Sequence, residues 1–541
     1  MSDAVPADPT PPSAEADRPL GPLAVSMSGG GYRAAAFHLG TLRFLNHTDL
    51  LKDVVGLSTV SGGTICGMAW VVSALDGKPF TEFYTEFSSY LRQTNVIQQA
   101  LQGLTDNRDH GGSAAWASLI RSASDVYARP ELFGDRRFAE VMGSDTLQLE
   151  EAIFNSTEFH TALDFRFRRS RNEQALLGNR NYRLPKEVAQ HIRLADIVAA
   201  SSCFPGGFEP LVFPQQFHWT EQYPLDAALD DLGSDFQTGL PLMDGGIYDN
   251  QGVDSMLLAF HESSACTLLI SDVSAQNSQM YDVPPNHAGR GWITLRGVNL
   301  MAWGLFALAL VAAVVLAWHG AEEARVSDWT WQDYFLYIVP GAFTAAVVGA
   351  LVWVRRRIRD VNRQLEKSMD IQAWPSFRKL TVPEFAQMLT LRVTSLLALT
   401  SSIFMSRVRG LVFRQAYSDP NFKGRRISNL IYSLTRDEPK LFTQHPWLQP
   451  KPHLVALAQQ AEGMPTTLWF TEDKQFYTLE AAGEATTCFV LLRHIVKHRA
   501  GEYETEGLPL HGLYTRLRRE WEVFQRDAVW LPVGETAVSL V

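Results

Sequence analysis

Residues 22–34 read PLAVSMSGGGYRA and residues 54–64 read VVGLSTVSGGT. Each opens with a short apolar, partly β-branched run, breaks at a cluster of glycines and passes into a segment of helical periodicity. Strand, tight turn and helix therefore follow one another twice, the pattern of a sheet covered by helices on both faces. Further along, EAIFNSTEFHTALDFRFR at 151–168 reads as a hairpin or two strands, Cys266–Ser271 as a buried strand, and PTTLWF from Pro465 as another strand.

The glycine clusters carry chemistry as well as fold. Ser28-Gly29-Gly30-Gly31-Tyr32-Arg33 sits where a strand turns into a helix. Residues without Cβ let backbone N–H groups approach a ligand, and the helix start adds a positive dipole end, so the loop can hold an anion. A phosphate, an oxyanion or plain close packing would each account for it; the dinucleotide spacing GxGxxG and the phosphate loop GxxxxGK[ST] are absent. Thr59-Val60-Ser61-Gly62-Gly63-Thr64 puts a serine at the apex of the second strand-to-helix turn, the placement of a nucleophile elbow, with Thr59 where GxSxG has its first glycine. Met243-Asp244-Gly245-Gly246 reads, taken singly, as a turn.

In this order the three stretches resemble the patatin-like phospholipases, and SGGGYRA resembles the branch of cytosolic phospholipases A. IFNSTEF at 153–159, LADIVAASSCFPGGFEP at 194–210 and LLISDVS at 268–274 are similar to further family segments. The resemblance covers roughly 21–290 and, more faintly, 375–541. It implies a three-layer α/β patatin-like fold and a Ser-Asp dyad, with Ser61 attacking an acyl ester and Asp244 taking the proton. It further implies an oxyanion hole of Gly29, Gly30 and Gly31 with charge from Arg33, and turn support from Gly62, Gly63, Gly245 and Gly246. His38 is expected to pack on its helix, and Asp249 and Asn250 to order the loop behind Asp244. The implied reaction is hydrolysis of phospholipid or lysophospholipid esters without cofactor or metal. A neutral-lipid or thioester hydrolase and an inactive lipid-binding scaffold are the alternatives.

Composition narrows the partners. The chain has 541 residues, 46% hydrophobic and 20% charged, with a formal net charge of −10 and no basic run interleaved with aromatics, so a nucleic-acid partner has no electrostatic support. Cys66, Cys203, Cys266 and Cys488 lie far apart, which fits a reducing compartment better than a disulfide or zinc framework. Residues 1–20, rich in Pro, Ala and Asp, read as a disordered tail and not a signal peptide, so the chain start is expected in the cytoplasm.

Between the two parts that carry the resemblance, the composition shifts. Val298–Trp318 and Tyr334–Val354 contain no charged residue, and each has the roughly 20 residues that span a hydrocarbon core. With the polar loop between them they read as a transmembrane hairpin over 291–360, inserted in the catalytic domain, and a lipid bilayer is the expected partner. Arg290 and Arg296 precede the first span and Arg355, Arg356, Arg357 and Arg359 follow the second, whereas the loop holds only Arg325. That bias places the catalytic domain on the cytoplasmic side. Phe385–Phe413 reads as one amphipathic helix whose apolar stripe is assigned to the core.

Overall fold

A computed structural model of the chain describes residues 18–109, 118–260, 266–276, 292–326, 330–344, 346–350, 379–399 and 403–528, with Tyr281, Val283, Val352, Trp353 and Arg356 as isolated positions. The chain divides into two compact units, one formed by 1–280 with 399–541 and the other by 281–398. The first unit holds Ser61, Asp244 and the glycine loop, while 382–398 belong to the second.

The first unit is built on one eight-stranded sheet. Its strands are β1 (Leu23–Met27), β2 (Val54–Val60), β3 (Glu151–Glu158), β4 (Leu163–Ser170), β5 (Leu211–Phe213), β6 (Leu240–Asp244), β7 (Thr267–Asp272) and β8 (Arg426–Leu430). They lie in the order β5-β6-β3-β2-β1-β7-β8, with β4 pairing β3. The helices that matter below are α1 (Gly31–His47), α2 (Gly62–Leu75), α3 (Leu194–Ser201), α4 (Gly246–Asp249), α5 (Val253–Phe260), α6 (Leu295–Val326), α7 (Val382–Ala398), α8 (Phe404–Ser418), α9 (Asp473–His498) and α10 (Pro509–Phe524).

Alternation along β1 sends Leu23, Val25 and Met27 into a large core shared with α1, α2, α3 and α9. Ala24 goes to a smaller core with Met256, Leu257, Phe260 and Phe422 on the opposite face. This is the three-layer α/β arrangement that the repeated strand-turn-helix reading implies. The C-terminal part belongs to it intimately. A Cβ on Gly40 of α1 would lie 2.1 Å from the carbonyl of Glu480, and one on Gly483 of α9 would lie 2.2 Å from that of Phe37. Backbone meets backbone there, and Arg43 pairs with both Glu480 and Glu484.

Most strands fall where the sequence puts them; four segments differ. Arg18–Leu20 is not tail: Leu20 is buried, its carbonyl accepts from Thr267 Oγ1 at 2.7 Å, and Arg18 reaches Asp53. Residues 1–17 of the expected tail lie outside the described residues. Residues 465–470 form no strand, because their carbonyls are used elsewhere: Thr467 O accepts from Tyr32 N–H and Leu468 O from Val96 N–H. The expected helix over 385–413 is helical on both sides of residues 400–402, which lie outside the described residues, as α7 and α8, and the stripe on α7 is not core. None of the described residues of α7 is buried, and Leu389, Val393, Leu396 and Leu397 are about half exposed. Periodicity says which residues share a face, not what covers it.

The fourth difference concerns the hairpin. Val298–Trp318 lies inside α6, where the stretch Leu295–Glu323 of 29 residues holds an apolar window with a mean hydropathy of 2.5 and no buried residue. The second run is less regular. Tyr334–Ile338 is π-helical, and an α-helical stretch follows over Val339–Ala350. Pro340 lacks the N–H that would continue the ladder, and the turn before it widens. Among the described residues one helix, α6, is long and apolar enough to cross a membrane. Residues 273–425 nevertheless return the chain to its own sheet, since β7 and β8 pair in parallel from Leu268↔Arg426 to Asp272↔Leu430.

Candidate active site

The sheet itself brings two distant loops together. β4 occupies one edge of β3 along its whole length, so β2 and β6 must share the other edge. β2 runs parallel to β3 and ends with Val60 opposite Asn155, while β6 runs antiparallel and ends with Asp244 opposite Ser156. Two strands thus point their C-terminal ends at each other along one edge. Ser61, just past the end of β2, and Asp244, the last residue of β6, meet there.

Ser61 holds φ 52° and ψ −120°, a conformation unfavourable for a residue with a Cβ, at the junction of β2 and α2. Such a turn survives because its surroundings over-determine it. The Ser61 N–H donates to Ser201 Oγ at 2.9 Å, and Ser201 Oγ donates to the Asn155 carbonyl at 2.7 Å and lies 2.8 Å from Thr64 Oγ1. Gly62 and Gly63 are required by contact: a Cβ would lie 2.0 Å from Gly31 O at the first and 2.4 Å from Met27 O at the second. Thr59, which departs from the elbow pattern, is accommodated by Gly67, where a Cβ would meet the Thr59 methyl at 2.6 Å. Its hydroxyl lies 3.0 Å from that of Thr64.

Asp244 is buried, its carboxyl accepts from the Gly246 N–H at 2.7 Å, and the nearby Ser61 hydroxyl favours its charged form. Burial pushes the carboxyl up to about 6, and the Ser61 hydroxyl and the Gly246 N–H only partly oppose it. The backbone is pinned as well: Asp244 N–H donates to Cys203 O, and Thr157 Oγ1 donates to Asp244 O. Gly245 lies against the Asn155 carbonyl, 2.4 Å from where a Cβ would stand. Asp249, also pushed up to about 6 by burial, accepts from the N–H groups of Gln251 and Asp254 and so orders the following turn. The neighbouring Asn250 carbonyl takes the Gly29 N–H at 2.9 Å, which ties this turn to the glycine loop.

The glycine loop lies directly against the serine, for a Cβ on Gly29 would be 3.0 Å from Ser61 Cβ. Gly30 and Gly31 take φ 141° and 57°, and among the described residues no backbone carbonyl accepts from either N–H. The flanking N–H groups are spoken for, Gly29 by Asn250 and Tyr32 by Thr467. Two donors at the N-terminus of α1 thus stand beside Ser61, an arrangement suited to an anion.

Two side chains near this loop do other work. Arg33 donates to the carbonyls of Glu462 and Met464, at 3.2 and 2.8 Å, and burial and then the nearby Arg409 lower its guanidinium to about 10. Arg33 Nη1 thus clamps the C-terminal segment beside the loop. His38 is fully buried, with Nε2 3.0 Å from the Ser28 carbonyl and Nδ1 3.0 Å from Ser271 Oγ. Since a carbonyl only accepts, Nε2 carries the proton and Nδ1 accepts from the serine. Burial pushes the ring down to about 4, so it is a neutral strut behind the loop.

Sequence reasoning missed Ser201, Asn155 and the carbonyls of 462–467. The first two lie within segments that carry the family resemblance, LADIVAASSCFPGGFEP and IFNSTEF, but only the fold shows that both reach the elbow. The carbonyls had no signal at all, since any residue supplies one.

No curated protein matches the chain. Residues 25–257 match the family model of the patatin-like phospholipases, a span that begins in β1 and ends in α5 and so holds the glycine loop, Ser61 and Asp244. The chain therefore carries a patatin-like phospholipase domain and is a lipid acyl hydrolase.

Proposed function

We propose that the chain is a membrane-anchored hydrolase of phospholipid or lysophospholipid acyl esters that works through a Ser61–Asp244 dyad. The observation that carries this reading is the convergence of Ser61, on its strained turn, with the buried Asp244 carboxyl at the meeting point of β2 and β6. Ser61 Oγ attacks the ester carbonyl as Asp244 accepts its proton, and the tetrahedral oxyanion takes the N–H groups of Gly30 and Gly31. Collapse breaks the bond to the alcohol, which leaves with the proton returned by Asp244. Water, deprotonated by the same carboxylate, then attacks the acyl-serine and restores the enzyme.

Anchoring rests on α6, which exposes an apolar surface of a length that suits a bilayer. β7 and β8 flank 273–425 in one sheet, so a chain that crosses a membrane in this interval must cross an even number of times. If α6 is one crossing, the uncharged run 334–354 is the natural return, and the arginines at 290, 296 and 355–357 put both ends inside. The test is labelling with a fluorophosphonate followed by mapping of the modified residue. Label at Ser61, lost in Ser61→Ala together with lipid hydrolysis, is the expected result; label at another serine, or an active Ser61→Ala protein, overturns the dyad.

A further inference from the structure

The exposed helix that returns the chain to the catalytic unit has the make-up of a membrane-surface element. α8 carries Arg407, Arg409 and Arg414 and no acidic residue, a local charge of +3 in a chain of −10. Phe404, Val408 and Leu411 recur at i, i+4 and i+7, and Phe404 and Leu411 are about half exposed, as are the flanking Arg407 and Arg414 at least in part. The opposite side is anchored. Ala416 is buried, and Val412 and Phe413 pack with it on the smaller core beside Met256, Phe260 and Phe422. α8 also packs on α4, the turn that follows Asp244.

We propose that α8 is an interfacial anchor, its Phe404–Val408–Leu411 stripe seated at the acyl boundary of an anionic leaflet and Arg407 and Arg414 among the lipid phosphates. An apolar stripe bordered by arginines binds the headgroup layer by burying area and by attraction to negative lipid. A second copy of this chain, at −10, offers no such charge match. The parity of crossings also bears on it: Arg392 and the return to β8 leave no place for a further lone span in 382–413, so lipid contact here means lying in the surface. In the second unit α7 exposes a comparable face through Leu389, Val393, Leu396 and Leu397. The proposal rests on the membrane-anchored lipid-hydrolase reading; its consequence is that the leaflet is held at the helix packed behind Asp244.

The experiment uses the full chain reconstituted in vesicles of phosphatidylcholine with and without phosphatidylglycerol. Environment-sensitive probes are placed singly at Leu411→Cys and Leu396→Cys, and at Leu308→Cys in α6 as a control, and read against lipids bearing a nitroxide at shallow or deep positions. Expected is quenching of the 411 probe by the shallow nitroxide, stronger with phosphatidylglycerol and weakened by Arg407→Glu/Arg414→Glu. That double variant should hydrolyse vesicle lipid about fivefold or more slowly while cleaving a soluble short-chain ester at the unaltered rate. Quenching at 308 with none at 411 overturns this proposal and leaves the membrane reading standing; quenching at neither overturns both. A 411 probe shielded without any lipid quenching, in a species of twice the monomer mass, assigns the face to a second copy instead and also overturns it.

Discussion

In the proposed mechanism Asp244→Asn should make the protein more stable and nearly inactive, and the size of the first effect depends on pH. The amide is close to isosteric: Oδ1 can keep the Gly246 N–H, and the amide N–H can donate to Ser61 Oγ. Lost is the capacity to take a proton, which should lower kcat by about a thousandfold or more. Burial raises the Asp244 carboxyl from 3.8 to about 6. A raised carboxyl pKa means that the folded state binds its proton more tightly than the unfolded one, so stability is fullest below pH ~4 and declines as pH rises to ~6. The loss amounts to about 3 kcal/mol above that window, taking two pKa units at 1.36 kcal/mol each as an upper bound for a fully buried group. Asparagine carries no such cost. Urea unfolding followed by tryptophan fluorescence should therefore show Asp244→Asn more stable than the parent at pH 8, by about 1–3 kcal/mol, with the difference shrinking towards zero at pH 4. Turnover of the parent should rise with pH through an apparent pKa near 6, as the carboxylate forms. A variant that keeps activity within tenfold of the parent, or whose stability difference does not depend on pH, refutes the reasoning.

Ser201→Ala removes the acceptor of the Ser61 N–H and the donor to Asn155 O, so stability should fall by about 1–3 kcal/mol and kcat by about tenfold to a hundredfold, with little change in KM for a soluble ester. Gly31→Ala would place a methyl 2.5 Å from the Thr467 carbonyl, and activity should fall by about a hundredfold or more. Gly77→Ala, at φ 64° with open space around it, carries the same left-handed strain without the clash and should leave turnover unchanged. For topology, Glu322→Cys should react with an impermeant maleimide on intact cells and Lys451→Cys should not, the four native thiols being buried; the reverse pattern, or release by alkaline carbonate, contradicts the hairpin.

Strands flanked by glycine turns were legible because burial on both faces leaves near-continuous apolar runs, and β2 coincides with the run from Val54 to Val60. The pairing of Ser61 with Asp244 was legible only through resemblance. Its physical basis, β2 and β6 sharing one edge of β3, is a fact of non-local register that no local pattern carries. The Thr59 departure looked like a weakness in the motif because positions were read one at a time; Gly67, two turns into α2, supplies the space it needs. The contacts of Arg33 and the missing strand at 465–470 escaped the sequence for a common reason. Each satisfies the other part of the chain through backbone carbonyls, which are identical for every residue type. The stripe of α7 was assigned to the core because apolar periodicity is the same whether protein, lipid or a partner covers it.

The proposed dyad without histidine asks one group to meet two opposed demands. Asp244 must be ionised to accept a proton, yet basic enough to take it from a serine hydroxyl. With an ordinary value near 4 it would be almost fully ionised at pH 7 but about 3 kcal/mol further from the hydroxyl than a carboxyl near 6. At about 6 roughly nine in ten of the molecules still carry the carboxylate at pH 7, so the gain in basicity comes with little loss of the active form. Deeper burial would not help, because beyond about 7 each further unit of basicity is cancelled by protonation of the resting enzyme. Nor does His38 offer a better base, since burial between Ser28 and Ser271 holds it neutral with both ring nitrogens engaged. In this proposal the rest of the barrier falls to the N–H groups of Gly30 and Gly31, whose loop is tied at Gly29 to the Asn250 carbonyl and at Tyr32 and Arg33 to the 462–467 segment.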